Sequence, residues 1–248
     1  MMSGFGAVAA YETARLFRRP FGWLVLAFGQ GLLALYFLLL VVRFLENQGD
    51  LQTTGVTVEI IMRYFSVAFV SVILLTPLLT MAAIAGDKRS NMLRFLYATP
   101  LSTSALVLGK FAGVLSLSMA HVVLLSLIPL TLLWGAPIDL GVYATNVIGL
   151  VLFSLMHNAL GLMASALTRA PVAGALIALM ISLLLWFAEW GARLDPEASM
   201  IGRWSTLTRL RGFAEGLLVS ADIVYFFAAT ISLLIITAVL VSMDRDLA

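Results

Sequence analysis

His121 and His157 are the two side chains of this 248-residue chain that could act as a general base near neutral pH, and neither has a carboxylate close by in sequence. A metalloprotease helix would pair histidines with a glutamate in an HExxH pattern. An intramembrane serine protease would bring a serine and a histidine together in a hydrated pocket. His157 stands beside Asn158 with serines nearby, but a lone histidine in an apolar helix more commonly hydrogen-bonds between helices. The Gly-Lys pair at Gly109 and Lys110 runs into Phe111 and lacks the upstream glycine of a phosphate-cradling loop, so ATP hydrolysis by this chain itself is not expected. There is no cysteine, which excludes thiol nucleophiles and thiolate metal sites, and the eleven methionines are scattered singly rather than grouped as for copper. These residues point to no catalytic role, no metal and no cofactor in this chain.

The elements that would have to position such residues are written for lipid. The chain is 62% hydrophobic and 11% charged, with a mean hydropathy of +1.05, against about 25% charged in an ordinary soluble domain. That balance excludes a soluble enzyme, a nucleic-acid-binding module and a disordered tail. Six uncharged windows, 21–42, 64–86, 111–138, 140–168, 170–188 and 223–243, are each near or above the ~20 residues needed to cross hydrocarbon as a helix. The first is too long for the apolar core of a signal peptide and no small-residue cleavage site follows it, so it stays as a span. The expected fold is an all-α integral membrane protein of six transmembrane helices in a single domain, 1–248, with Trp134, Gly135 and Pro137 turning the chain between the third and fourth spans.

An even number of spans puts both termini on one side. Arg15, Arg18, Arg19, Lys88, Arg89, Arg94, Lys110, Arg169 and Arg245 fall on that side, against Arg43, Arg63, Arg193, Arg203, Arg209 and Arg211 on the other. The bias of basic residues places the termini in the cytoplasm. No charge lies inside a window, which argues against an ion-coupled carrier. Glu189 comes closest, and Trp186 and Trp190 around it read as an interfacial belt.

Three stretches lie outside the spans. Residues 6–20 read as an amphipathic interface helix, with Glu12, Arg15 and Arg19 on one face; it would rest on headgroups, contact a cytoplasmic partner, or both. Residues 87–104 open on Asp87, Lys88 and Arg89, set Leu93, Leu96 and Tyr97 at helical spacing beside Arg94, and break at Thr99 and Pro100. They restart with Ser102, Thr103 and Ser104 as candidate N-caps. This short helix outside the membrane suits insertion of exposed Leu93, Leu96 and Tyr97 into a groove on a soluble partner, or a place on the bilayer surface. Residues 189–222 hold apolar stretches at 200–204 and 212–219 too short to span, read as re-entrant or interfacial helices. Arg209, Arg211, Gly212, Gly216 and Asp222 are the residues of note there.

In order and placement these motifs resemble the membrane-spanning permease subunit of a type-2 ATP-binding-cassette (ABC) exporter, and within it the branch typified by the gliding-motility permease GldF. The family pattern between spans two and three, E-K-x-x-G-T-L-E-x-L-L-x-x-P-(L/V)-S followed by Gly-Lys, is matched by Asp87, Lys88, Leu93, Leu96, Pro100, Leu101, Ser102, Gly109 and Lys110. Asp87 stands for Glu, Asn91 and Met92 for Gly-Thr, and Arg94 for the second Glu. Ser165 to Arg169 resembles the turn between spans four and five, and Gly216 with Asp222 to Phe226 the entry to the sixth. The resemblance implies two permease copies, identical or paralogous, bound to two cytoplasmic ABC ATPase subunits that hold ATP and Mg. Asp87, Arg89, Leu93, Arg94, Leu96, Tyr97 and Pro100 would form the coupling segment, and 6–20 a second contact. The expected site is a bacterial cytoplasmic membrane, with an envelope or accessory protein as a further partner and no nucleic acid. The work would be movement of an amphiphile or polymer, or force on that envelope partner. The rival readings are an ATP-independent channel or carrier and an intramembrane enzyme built around His121 or His157.

Overall fold

The computed structural model describes residues 4–46, 55–99, 101–194 and 204–246, and among them every regular element is helical. Helix α1 (Gly4–Arg18) leads at a bend into α2 (Pro20–Glu46). A π-helical turn (Thr57–Met62) continues as α3 (Arg63–Thr80), and the short helices α4 (Ala85–Arg89) and α5 (Met92–Tyr97) precede α6 (Thr103–Leu130). A 3-10 turn (Thr131–Trp134) leads to α7 (Leu140–Ala166); then follow α8 (Pro171–Leu194), α9 (Thr206–Ala214) and α10 (Ser220–Asp246). Six segments are long and apolar enough to cross a membrane: Pro20–Glu46, Thr57–Arg89, Thr103–Trp134, Leu140–Ala166, Pro171–Glu189 and Ser220–Asp246. This is a multi-pass membrane protein.

The bundle is built around α7, whose span is 72% buried, while α8 and α10 are 17% buried and show most of their surface to lipid. α7 carries the small and polar side chains that close helix packing requires, among them Ser154, Asn158, Ala159, Gly161 and Ala164. Asn158 accepts from Ser118 of α6 at 2.8 Å. Outward-facing Leu24, Phe28, Leu39, Met180, Leu184, Val224 and Ile235 form the exposed apolar belt that a soluble protein could not sustain.

The second span breaks where Pro77 enters the last turn of α3. The backbone groups freed at the break are taken up by one hydroxyl of α7: Ser165 Oγ accepts from the amides of Ile84 (3.1 Å) and Ala85 (2.9 Å) and donates to the Met81 carbonyl (2.8 Å). The chain can therefore leave the span as α4 without an orphaned buried amide. At the start of α6, Ser102 is the N-cap, accepting from the Ala105 amide at 3.2 Å, as its type and place predict. Pro100 and residues 200–203 of the 200–204 stretch lie outside the described residues. α1, α4, α5 and the last turn of α10 gather at one end of the bundle, here the proximal end. Trp134, α9 and the first turn of α10 gather at the other, distal end.

Candidate functional site

The proximal end is organised by four buried or half-buried charges from three helices. Lys110, 1% exposed, donates to a Glu12 carboxylate oxygen at 2.5 Å, to Asp87, and to the Ala83 carbonyl at 2.8 Å. Arg15 closes the ring, lying 2.9 Å from Asp87 and 2.9 Å from Glu12. Each cation touches both carboxylates, so the quartet is neutral. Breaking one member would leave an uncompensated buried charge, a loss of about 3–5 kcal/mol in comparable sites. Helix α1 (Gly4–Arg18) covers most of the stretch 6–20 read as an amphipathic interface helix. Its Glu12 and Arg15 face turns inward onto Lys110 and Asp87, however, and only Arg19 of the three is exposed.

α1 reaches this depth because α6 offers it a groove. Gly109 and Gly113, four residues apart around Lys110, leave no room for a side chain: a Cβ at Gly109 would lie 2.7 Å from Val8, and one at Gly113 would collide with Glu12. The Gly109-Lys110-Phe111-Ala112-Gly113 run is a helix-crossing motif legible in sequence, with a lysine at its centre that presents a charge to whatever crosses.

α5 is attached on every side but one. Leu93, expected to be exposed, is 4% exposed and packs into a cluster with Leu106, Leu162 and Val241. Leu96 and Met92 line a groove shared with Val8 and Tyr11 of α1. The Tyr97 hydroxyl donates to the Val241 carbonyl at 3.2 Å, and Arg245 donates to the carbonyls of Tyr97 and Leu101, each at 3.1 Å. Burial, then the nearby Asp244 carboxylate, push the Tyr97 phenol up to about 12, so it remains a protonated donor throughout the physiological range. Lys88 is held between the Ala166 carbonyl and Asp244. What remains outward on α5 is Phe95, 72% exposed, with its sequence neighbour Arg94 and Met92, also exposed. The arrangement is an exposed phenylalanine next to Arg94, on a short helix held to its neighbours by the contacts above. The sequence pattern passed over Phe95.

Asn91, at the joint between α4 and α5, has φ +58°, the left-handed conformation that glycine and asparagine adopt most readily. That accounts for asparagine standing where the family pattern carries glycine. Asp87, read as a contact residue, is 5% exposed and belongs to the quartet instead.

At the distal end, α9 packs Leu210 and Phe213 into the core and is held by α7, whose Thr145 and Asn146 donate to the Phe213 carbonyl at 2.9 and 3.2 Å. It ends in a full Schellman motif: Leu217 bonds back to Gly212 at 2.7 Å and Gly216 to Phe213 at 3.2 Å, with Gly216 at φ +88°. Arg209 pairs with Asp222 at 3.0 Å and lies over the Tyr225 ring, while Arg211 pairs with Glu189. These residues, read from sequence as one outer segment, are brought together as the brace between α8, α9 and α10.

The two histidines do not converge. His157 bonds to the Phe153 carbonyl of its own helix at 3.0 Å and stacks on that ring. His121 lies between Gln30 at 3.3 Å and Ser71 at 3.5 Å, and the Ser71 hydroxyl already donates to Ala68 within α3 at 2.7 Å. These contacts are those of helix-packing polar residues.

The fold is a six-span helical bundle with two short helices between spans two and three. Residues 47–192 match the family described as ABC-2 family transporter protein, and the chain belongs to this family. The matched region runs from before the second span to the end of the fifth and includes α4, α5 and the α7–α8 turn. No curated protein matches the chain significantly. Membership makes it an ABC transporter permease, a transmembrane component that cooperates with an ABC ATPase.

Proposed function

We propose that this chain is the permease subunit of an ABC exporter in a bacterial cytoplasmic membrane, with both termini in the cytoplasm, and that α5 is its coupling helix. The observation that carries the reading is the contrast on α5 between Leu93 and Tyr97, which hold it to the bundle, and Phe95, which faces outward beside Arg94. Two permease copies, identical or paralogous, would carry two ATPase subunits holding ATP and Mg, with Phe95 and its neighbours seated in a groove of each ATPase. Closure of the ATPase dimer would displace α5. The quartet and the Arg245 and Lys88 contacts would pass that displacement to α1, α6, α7 and α10 together, not to spans two and three alone. Family resemblance supports placing it near the gliding-motility permease GldF. The six uncharged windows suit an amphiphile or polymer, or force applied to an envelope partner.

The test is affinity purification from native membranes in mild detergent, with mass spectrometry and an ATPase assay on the eluate. A stoichiometric ABC ATPase, with hydrolysis altered by the presence of the permease, is the expected result. Recovery of the subunit alone, folded and without hydrolysis, would return the reading to an ATP-independent channel.

A further inference from the structure

Beside α5, at the proximal end, a cleft of about 120 Å³ is floored by Leu93 and Tyr97 and rimmed by Lys88, Arg94, Arg169 and Asp244. The rim is drawn from four places: Lys88 from α4, Arg94 from α5, Arg169 from the turn between α7 and α8, and Asp244 from the last turns of α10. Three cations face one carboxylate, and that carboxylate is taken by Lys88. Arg94 and Arg169 have no hydrogen-bonded or ionic partner among the described residues, whereas in the quartet a few residues away each cation is paired with both carboxylates.

We infer that this cleft is an anion socket that receives a side-chain carboxylate, Asp or Glu, of the ATPase partner. The inference rests on the permease reading above and adds to it the chemistry of the contact. Two guanidiniums converging on one concavity offer forked donors that match a carboxylate in plane. The space is well above the ~10–15 Å³ of probe volume that one water needs, so it admits the end of an acidic side chain. A phospholipid headgroup would need in addition an apolar track from the socket to the bilayer. The apolar walls here are Leu93, which is buried, and the Tyr97 ring, which is already covered by Arg245. One wall of the socket is α5 itself, so a partner seated on Phe95 also stands over Arg94. The socket joins α4, α5, the α7–α8 turn and α10, so a carboxylate bound in it would hold the ends of spans two, four and six to the ATPase at once.

The experiment uses the intact permease–ATPase complex. Arg94→Lys and Arg169→Lys variants, co-purified with the ATPase, are treated with a water-soluble carbodiimide, which joins an amine to a carboxylate in direct contact. Wild type, with Lys88 as the amine of the socket, supplies the background. The expected result is a cross-link from position 94 or 169 to an Asp or Glu of the polypeptide that carries the ATPase phosphate loop. In parallel, Arg94→Glu with Arg169→Glu should lower ATPase capture at least about tenfold at roughly 50 mM salt and less at high salt, while the double lysine variant retains it. If the ATPase co-elutes but position 94 or 169 links only to Asp244, or the double reversal captures it undiminished, the socket assignment is overturned and the permease reading stands. If the double reversal instead releases anionic phospholipid from the eluate and leaves ATPase capture unchanged, the site is a lipid site and the inference is wrong. If wild type captures no ATPase, both fall together.

Discussion

Lys110 of α6 and Glu12 of α1 meet at 2.5 Å across 98 residues of sequence. The contact turns a helix that could have lain free on the bilayer into part of the bundle. With Asp87 and Arg15 it ties the segment before the first span to the segment leaving the second, and so to the mount of α5.

Charge balance in the quartet predicts a non-additive result. Lys110→Met leaves two buried carboxylates facing Arg15 alone and should cost about 3–5 kcal/mol. Adding Asp87→Asn leaves Glu12 paired with Arg15 and should recover a large part of that loss. Thermal unfolding of the purified subunit in detergent measures both; a double variant less stable than Lys110→Met would show that the four groups do not act as one ring.

Close approach of α1 depends on Gly113. Gly113→Val should lift α1 from α6 while leaving the six spans inserted, because the added side chain meets Glu12 and not another span. Limited proteolysis at Arg15 and Arg18 should become at least several-fold faster than in wild type, and unchanged cleavage would mean that α1 is held by other contacts.

Phe95 and Leu93 are two residues apart and should behave oppositely. Phe95→Asp places a charge on a surface already 72% exposed and should abolish ATPase association with little change in stability. Leu93→Asp buries a charge among Leu106, Leu162 and Val241 and should destabilise the fold by more than about 3 kcal/mol. Size-exclusion profiles and ATPase capture measured side by side separate the two effects.

Left-handed backbone at Asn91 predicts a ranking. Asn91→Gly should be close to neutral, whereas Asn91→Val should cost about 1–2 kcal/mol and misdirect α5. Equal stability and equal ATPase stimulation in the two variants would contradict the conformational role given to this residue.

The spans were legible because lipid excludes charge over a fixed length: each of the six windows overlaps one of the six helices, and three of them, 111–138, 140–168 and 170–188, run up to a few residues past the helix ends into the turns. The restart at Ser102 was legible because a cap is a local signal, a hydroxyl three residues before the amide it serves. The orientation of α1 was not, since periodicity defines a polar face without saying whether water or an opposite charge will cover it, and the covering charge lies 98 residues on. α5 failed for a related reason. Six residues are too few turns for spacing to choose a face, so Leu93 read as outward and Phe95 was passed over. Ser165 was legible only as the start of the turn between spans four and five; its bonds to Ile84 and Ala85 depend on the break after Pro77 in another span and left no local signal.

The central claim, that an ATPase seats on α5, is tested most directly by placing a photo-cross-linking amino acid at position 95 and, as a control, at position 134, where Trp134 is 92% exposed at the distal end. Irradiation of native membranes should join position 95 to a polypeptide whose peptides include an ABC ATPase phosphate loop, and should give no such adduct from position 134. An ATPase adduct from 134 and none from 95 would reverse the orientation of the protein and contradict the account.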